Sequence, residues 1–301
     1  MNRWPRFLTA SLIIVVQTLL LAEDTAQKPE ANVVAAEALK TPSGFFPIMP
    51  WDPLYGWKRP SVDHRHGLES MADCDFTVGG FVKAADLRKA KQFGLKVLIF
   101  PDVEDAGSWT REWKKLSDSE IDARVKSLIK NSAHNDTVLG YFIMDEPGAS
   151  SFPALAKAVA AVKKYAPGKL AYINLFPGYA TIGAPDQSQL ETPSFTEYLE
   201  RFVREVKPQI LSYDDYMVQY SMDMTKPGPA VARYYNDLME VRRVAQEHNL
   251  PFWNIVSSNQ IRPNTTVPSP ANLSFQAYTT LAAGGRGVTY LSLQFSDSRF
   301  S

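Results

Sequence analysis

Two adjacent carboxylates close an apolar run near the middle of the chain, in the sequence GYFIMDEP (residues 140–147). Apolar runs of this kind are usually buried strands, whereas carboxylates are rarely buried unless they are paired. Asp145 and Glu146 therefore either close a structural ion pair or form the working end of a catalytic strand. A carboxyl group at the edge of an apolar strand can have its pKa raised by desolvation and by a neighbouring negative charge. It can then act as a general acid near neutral pH.

The structural alternative for Asp145 is a helix cap. A helical segment follows within a few residues, and Ser151 is a competing cap for it. We weigh the catalytic interpretation above the structural one for Glu146, whereas the two interpretations are about even for Asp145.

The elements that would position these acids alternate regularly along the chain. Short apolar runs are separated by amphipathic segments, a pattern typical of βα units on a parallel sheet. The helical segment at residues 152–167 shows it well, since Leu155, Val159 and Val162 recur every three to four residues. The eight candidate strands lie within residues 45–51, 76–82, 96–102, 138–147, 170–176, 210–217, 251–258 and 287–294.

Eight strands with seven intervening helices predict an α/β fold of the (β/α)8 TIM-barrel class. A doubly wound sheet would show a Gly-rich phosphate turn after its first strand, and the sequence WDPLYGWKRP (residues 51–60) is not such a turn. Only seven residues follow the eighth candidate strand. We therefore expect either that the chain is a fragment or that the barrel lacks its final helix.

Barrel enzymes place their chemistry at the carboxyl ends of the strands. The residues at these ends are acidic, aromatic and amide-rich, and they include no basic cluster. Carboxylates and amides hydrogen-bond sugar hydroxyls, and aromatic faces pack on pyranose rings. The candidate carboxylates are Asp145, Glu146, Asp214 and Asp215, and the candidate ligand contacts are Trp51, Asp52, Asp102, Asn174, Tyr213, Tyr216, Trp253 and Gln294.

The GYFIMDEP motif resembles the end of the fourth strand in clan A glycoside hydrolases, which carries Asn-Glu or Asp-Glu, often before Pro. Residues 275–294 resemble the seventh helix and eighth strand of the family 42 β-galactosidase-like barrels and related uncharacterised families. The resemblance implies that Glu146 is the general acid/base. It does not supply a nucleophile, because residues 251–262 contain no carboxylate where that clan has its second Glu.

Two substitutes for the missing nucleophile remain open. Asp214 or Asp215 could serve, but neighbouring strand residues point to opposite faces, so only one of them is expected to face the site. Carboxyl groups about 5 Å apart would imply a retaining mechanism, and about 6.5–9.5 Å an inverting one. The Asp-Glu pair is also similar to that of glycosidases in which the substrate's 2-acetamido group attacks, which would make Asp145 the orienting acid.

Charge and histidine content argue against other classes of function. The 32 basic and 32 acidic side chains cancel, which favours neither nucleic acid nor an anionic membrane surface as a partner. The chain has four histidines, at positions 64, 66, 134 and 248, and a zinc site needs three or four convergent ligands. We expect no metal and no other cofactor, and a carbohydrate as the partner.

The N-terminus has the features of a secretory signal. Arg3 and Arg6 precede an apolar run at residues 7–22, which is shorter than the roughly 20 residues of a spanning helix. We therefore predict a signal peptide at residues 1–22, a linker at 23–43 and a catalytic barrel at 44–301. The protein would be secreted or periplasmic, with no membrane contact after cleavage, and the single Cys74 excludes an intramolecular disulfide.

Two classes of function follow from these features. The first is an exported glycoside hydrolase that acts on a poly- or oligosaccharide. The second is an inactive barrel that binds carbohydrate after loss of the nucleophile. In either class Trp51, Tyr55 and Trp57 could form a sugar platform after the first strand, or else a packed hydrophobic rim.

Overall fold

The computed structural model describes residues 44–51, 67–181, 189–261 and 265–291. The predicted signal peptide and linker lie outside this part of the chain. The predicted contacts Asp52 and Gln294, the platform residues Tyr55 and Trp57, and the histidines His64 and His66 also lie outside it.

The described residues contain eight parallel strands in one sheet, which confirms the predicted (β/α)8 barrel. Each strand lies inside one of the eight predicted runs, and the neighbour order is β1-β8-β7-β6-β5-β4-β3-β2. Between β1 and β2, Thr77 N donates to Ile48 O at 3.1 Å, and Ile48 N donates to Thr77 Oγ1 at 2.8 Å. The strands are β1 (Ile48–Pro50), β2 (Val78–Val82), β3 (Lys96–Ile99), β4 (Val138–Asp145), β5 (Leu170–Leu175), β6 (Leu211–Asp214), β7 (Phe252–Ser257) and β8 (Val288–Leu291).

Helices connect every pair of consecutive strands. Gly94 and Gly168 lie just after two of these helices, and both adopt left-handed backbone with φ of 73° and 80°, as glycines that end helices commonly do. Before Pro208 the left-handed residue is Lys207, with φ of 54°. The helices are α1 (Leu68–Asp73), α2 (Leu87–Gln92), α3 (Ala106–Arg111), α4 (Asp118–Ile129), α5 (Phe152–Tyr165), α6 (Phe195–Val206), α7 (Pro229–Glu247) and α8 (Pro270–Ala282).

The hydrophobic core has two layers, one inside the barrel and one between the sheet and the helices. Aromatic rings fill much of the interior: Phe81 lies 4.5 Å from Phe142 between centroids, and Tyr172 lies 5.7 Å from Trp253. Large side chains of alternate strand residues fill small barrels in this way. Within the described residues, no helix combines the length and the apolar character that crossing a membrane requires.

A β-bulge in β4 determines which way the acidic end of that strand faces. Phe142 is opposite Tyr172, but Met144 is opposite Ile173 and Asp145 is opposite Asn174, so β4 contains one extra residue. Strict alternation from the inward-facing Phe142 would turn Asp145 toward the helices. The extra residue restores Asp145 to the inner face beside Asn174, as bulges near active sites often do.

Candidate active site

Glu146 follows directly after β4 and has a strained backbone. Its φ is 46°, in the left-handed region that few non-glycine residues adopt, and it precedes a proline, which restricts it further. Its N–H donates to Asn174 O at 2.9 Å, and the carbonyl of Pro147 accepts a hydrogen bond of 2.7 Å from Tyr198 Oη. Strain of this kind persists where the surroundings fix it, and it is concentrated at functional sites.

Asn174 joins two of the carboxylates at the barrel mouth. Its Nδ2 donates to Asp145 Oδ1 at 3.1 Å and to Asp214 Oδ1 at 2.8 Å. Because both oxygens accept from the same nitrogen atom, the Asp145 and Asp214 carboxylates lie close together.

Asp214 and Glu146 form an acid pair, in which Asp214 is buried and Glu146 is half-buried. Burial, together with the negative charges of Glu146 and Asp145, raises the pKa of Asp214 well above its usual range. Desolvation also raises the pKa of Glu146, and a hydrogen bond from Asp214 offsets part of that rise. Two carboxyl groups in contact cannot both ionise readily, which agrees with the direction of both shifts.

Asp215 directly follows β6, and its side chain points to the opposite side of the sheet from Asp214, as expected from the alternation of strand residues. Its Oδ1 accepts a hydrogen bond of 2.7 Å from Met217 N, and the side chain is fully buried. Burial and the nearby Asp237 of α7 raise the pKa of Asp215 well above its usual range. Burial also raises the pKa of Asp237 to about 7, although its Oδ2 accepts a hydrogen bond from Gly178 N.

Of the predicted ligand contacts, Asn174 and Tyr216 lie with the acids. Burial, and then the charges of Asp214 and Asp145, raise the pKa of the Tyr216 hydroxyl well above its usual range, which places this ring beside them. Asp102 lies in the loop after β3, where its exposed carboxylate forms a 3.0 Å ion pair with Lys83.

Three other predicted contacts belong to the core. Tyr213 packs in the outer layer, because it lies between the inward-facing Ser212 and Asp214 on β6 and must point outward. Trp51 and Trp253 fill the barrel interior, and the Trp51 ring meets Phe81 edge-on at 5.1 Å. Aromatic residues at strand ends can serve either as core or as ligand platform, and sequence alone does not separate the two roles.

Two tyrosines that the sequence did not single out also take part in the site. Tyr179, in the turn after β5, lies close enough to Asp214 and Asp215 for their charges to add to the rise in its pKa that burial causes. Tyr198, on α6, holds the backbone just after Glu146. Tyr179 follows a predicted strand and could have been found by that position, whereas Tyr198 is distant in sequence and carries no local signal.

The end of β7 is occupied by hydroxyl and amide groups. The Ser257 hydroxyl is hydrogen-bonded to the Gln219 amide, and Ser257 N donates to Gln276 Oε1 at 2.8 Å. All three side chains are buried. The strand end where clan A enzymes have their second Glu thus has its polar groups paired with one another.

Ser151, the alternative helix cap, makes no side-chain capping bond at the start of α5.

The described residues contain no group of three or more His, Cys, Asp or Glu side chains arranged to hold a metal ion. His248 instead pairs with Glu200 at 2.9 Å on the helical surface.

Comparisons with known proteins show the fold. No protein-family model and no curated sequence matches the chain. Among solved structures, it is similar to a candidate α-L-fucosidase from Bacteroides thetaiotaomicron, with a TM-score of 0.54 and 13% identity over 90% of this chain and 91% of the other. An endo-1,4-β-D-mannanase from Thermotoga petrophila aligns with a TM-score of 0.54 and 12% identity, over 85% and 92% of the two chains. The cellulose synthase subunit Z of Clostridioides difficile aligns with a TM-score of 0.50 and 10% identity, over 83% and 93%. These similarities support the (β/α)8 barrel and do not single out family 42.

Proposed function

We propose that the protein is an exported glycoside hydrolase that cleaves O-glycosidic bonds of a poly- or oligosaccharide, with Glu146 as general acid/base. The observation that carries the proposal is the position of Glu146. It is half-buried at the carboxyl end of β4, on a strained backbone, with a raised pKa and a second acid in contact. A group of this kind can hold a proton near neutral pH and deliver it to a leaving oxygen.

The position of Asp214 argues against a role as the separate nucleophile. A retaining pair is about 5–5.5 Å apart because the sugar lies between its two carboxyl groups. Asp214 is instead in contact with Glu146 and only 1% exposed. Asp215 faces the helices and cannot reach a sugar at the barrel mouth.

This arrangement favours substrate assistance by a 2-acetamido sugar among the three mechanisms considered. Glu146 would give its proton to the glycosidic oxygen as the bond from that oxygen to C1 breaks. The carbonyl oxygen of the acetamido group would form the new bond to C1, with its N–H held by the Asp145 carboxylate. Water would then attack C1 and give its proton to Glu146, reopening the ring and restoring the acetamido group.

A panel of aryl glycosides with and without the 2-acetamido group tests this proposal. We expect turnover of the 2-acetamido compounds and competitive inhibition by a thiazoline analogue of the cyclic intermediate. Turnover of only the 2-hydroxy compounds would reject substrate assistance while leaving glycoside hydrolysis in place. Absence of turnover across the panel, together with tight oligosaccharide binding, would reject the enzyme.

The second candidate function is a carbohydrate-binding barrel without catalytic activity. The specific observation in its favour is the end of β7, where Ser257, Gln219 and Gln276 satisfy one another. Isothermal titration with the same sugars separates the two candidates. A binding protein would bind equally well before and after Glu146→Gln and would have no turnover to lose.

A further inference from the structure

We propose that Asn174 is a positioning residue rather than a sugar contact. With Ser212 and Tyr172 it forms a directed chain of hydrogen bonds that leaves Oδ2 of Asp214 as the place for the proton shared with Glu146. The catalytic role rests on the proposed function, whereas the series of hydrogen bonds follows from the contacts among these side chains.

The orientation of the Asn174 amide is determined by its neighbours. Its Nδ2 lies 3.1 Å from Asp145 Oδ1 and 2.8 Å from Asp214 Oδ1, and its Oδ1 lies 3.1 Å from Ser212 Oγ. The flipped amide would direct its oxygen at both carboxylates and lose two hydrogen bonds. An amide has two N–H donors, and both are used here. The side chain is 1% exposed, which leaves it little surface for a sugar.

The same bonds fix the direction of the chain below Asn174. Ser212 must give its only hydroxyl hydrogen to Asn174 Oδ1, since that oxygen can only accept. Tyr172 Oη lies 2.8 Å from Ser212 Oγ and must therefore be the donor in that bond. Donation runs from Tyr172 to Ser212, then to Asn174, and finally to the two carboxylates. Such chains strengthen their last bond because each donor polarises the next.

The two oxygens of Asp214 consequently differ. Oδ1 accepts from Asn174, whereas Oδ2 is buried and has no donor among the described residues. A buried carboxyl oxygen without a donor is the natural position for a proton, which it can then donate to Glu146. Besides Tyr172 on β5, the other groups that interact with Asp214 are Asp145 and Glu146 at the end of β4, Asp215 just after β6, Tyr179 after β5, Tyr198 on α6, and Tyr213 and Tyr216 around the end of β6.

This assignment gives Asp214 a definite role. A neutral acid does not attack an anomeric carbon, but it can hold a proton in contact with Glu146 and replace one that Glu146 gives away. The second N–H of Asn174 fixes the orientation of the Asp145 carboxylate, the group that would accept the N–H of an acetamido group.

The test is the titration of the Asp214 carboxyl carbon, followed by ¹³C NMR in aspartate-labelled full-length protein and assigned by its loss in Asp214→Asn. In Asn174→Ala the carboxylate loses a donor, so its apparent pKa should rise by about one unit. The alkaline limb of the kcat/KM profile should move in the same direction. Ser212→Ala, which leaves the amide unanchored, should give a smaller rise and serves as the variant if Asn174→Ala does not fold.

The matched control is Asn254→Ala. Asn254 is equally buried, lies on β7 and donates to Thr280 Oγ1 at 2.9 Å, away from the acids. It should lose stability without a change in the Asp214 titration. An unchanged titration in both Asn174→Ala and Ser212→Ala would overturn the positioning role, as would an equal shift in Asn254→Ala. The NMR measurement needs no substrate. If the Asp214 titration shifts as expected in a protein that hydrolyses no glycoside, the proposed function is rejected while the hydrogen-bond chain through Asn174 stands.

Discussion

Asp214, the last residue of β6, and Asp215, which follows it, each lie beside a second acid, and the two acid pairs differ in their access to solvent. Asp214 contacts Glu146 at the barrel mouth, and we refer to these two residues as the inner pair. Asp215 faces Asp237 of α7 behind the sheet, and we refer to these as the outer pair. Both pairs have raised pKa values, chiefly because they are buried. Only the inner pair has a half-exposed member, Glu146, whereas Asp237 is 8% exposed and Asp215 is fully buried.

The comparison shows that a perturbed pKa by itself does not locate catalysis. Structural networks perturb pKa values as well as active sites do. What distinguishes the inner pair is that its proton can reach a ligand from the carboxyl ends of the strands. The outer pair instead binds the turn after β5, because Asp237 accepts from Gly178 N.

The largest expected difference between the pairs is in turnover. Glu146→Gln removes the proton that would go to the leaving oxygen and should lower kcat by about 10²–10⁴-fold. Asp237→Asn, in the outer pair, should leave kcat within a few-fold of the wild type. Steady-state kinetics on the best aryl glycoside, together with thermal unfolding of each variant, measure both effects.

Equal losses of turnover in Glu146→Gln and Asp237→Asn would contradict a catalytic role that is confined to the inner pair. Acid catalysis would be supported if Glu146→Gln lowers kcat only slightly on substrates with a good aryl leaving group and strongly on substrates with a poor leaving group. A loss independent of the leaving group would place Glu146 in binding alone.

The next effect is the pH dependence of stability from the outer pair. The folded-state pKa of Asp215 is raised, so its stabilising contribution is complete below the unfolded pKa of about 4 and is lost as the pH rises toward the folded value. Asp215→Asn should therefore match the wild type near pH 4. At pH 8 it should be more stable than the wild type, because burial no longer opposes an ionised carboxylate at this position. Urea unfolding across this pH range measures the difference.

The same substitution at the neighbouring residue provides the control. Asp214→Asn should lower kcat and leave the contribution of the outer pair to the pH dependence in place. Parallel stability curves for the wild type and Asp215→Asn would mean that Asp215 is not held protonated in the folded protein.

A smaller effect is expected from the turn that the outer pair holds. A Cβ on Gly178 would collide with the Asp237 carboxylate, so Gly178→Ala should displace either the turn or that side chain. Overpacking of this kind typically costs about 1–3 kcal/mol. Chemical denaturation measures the loss, and Gly228→Ala is a suitable control because a Cβ there meets nothing within 4 Å. Equal stability of the two variants would contradict a tightly held turn.

The sequence was sufficient for the fold because each strand and helix carries its own periodic pattern. It also pointed to the strand ends that carry Asp145, Asn174 and Asp214, whose side chains the structure brings into contact. It could not show the bulge in β4, since an extra residue is defined only relative to the neighbouring strand. Nor could it separate Tyr213 from Tyr216, because their opposite directions depend on where β6 ends.

The smallest predicted effect concerns Tyr198, which no pattern in the sequence marks. Its hydroxyl donates to Pro147 O at 2.7 Å and is the contact from α6 that holds the backbone after Glu146. Tyr198→Phe removes this bond and the longer one of 3.4 Å that the hydroxyl accepts from Phe176 N, and it should cost about 1 kcal/mol of unfolding free energy. Because Glu146 is strained, relaxation of its backbone should also lower kcat several-fold with little change in KM. Tyr234→Phe, which loses a bond to Thr279 in the outer layer, is the control. It should show a similar loss of stability with kcat unchanged, so an equal fall in kcat for both variants would trace the effect to general loosening rather than to Glu146.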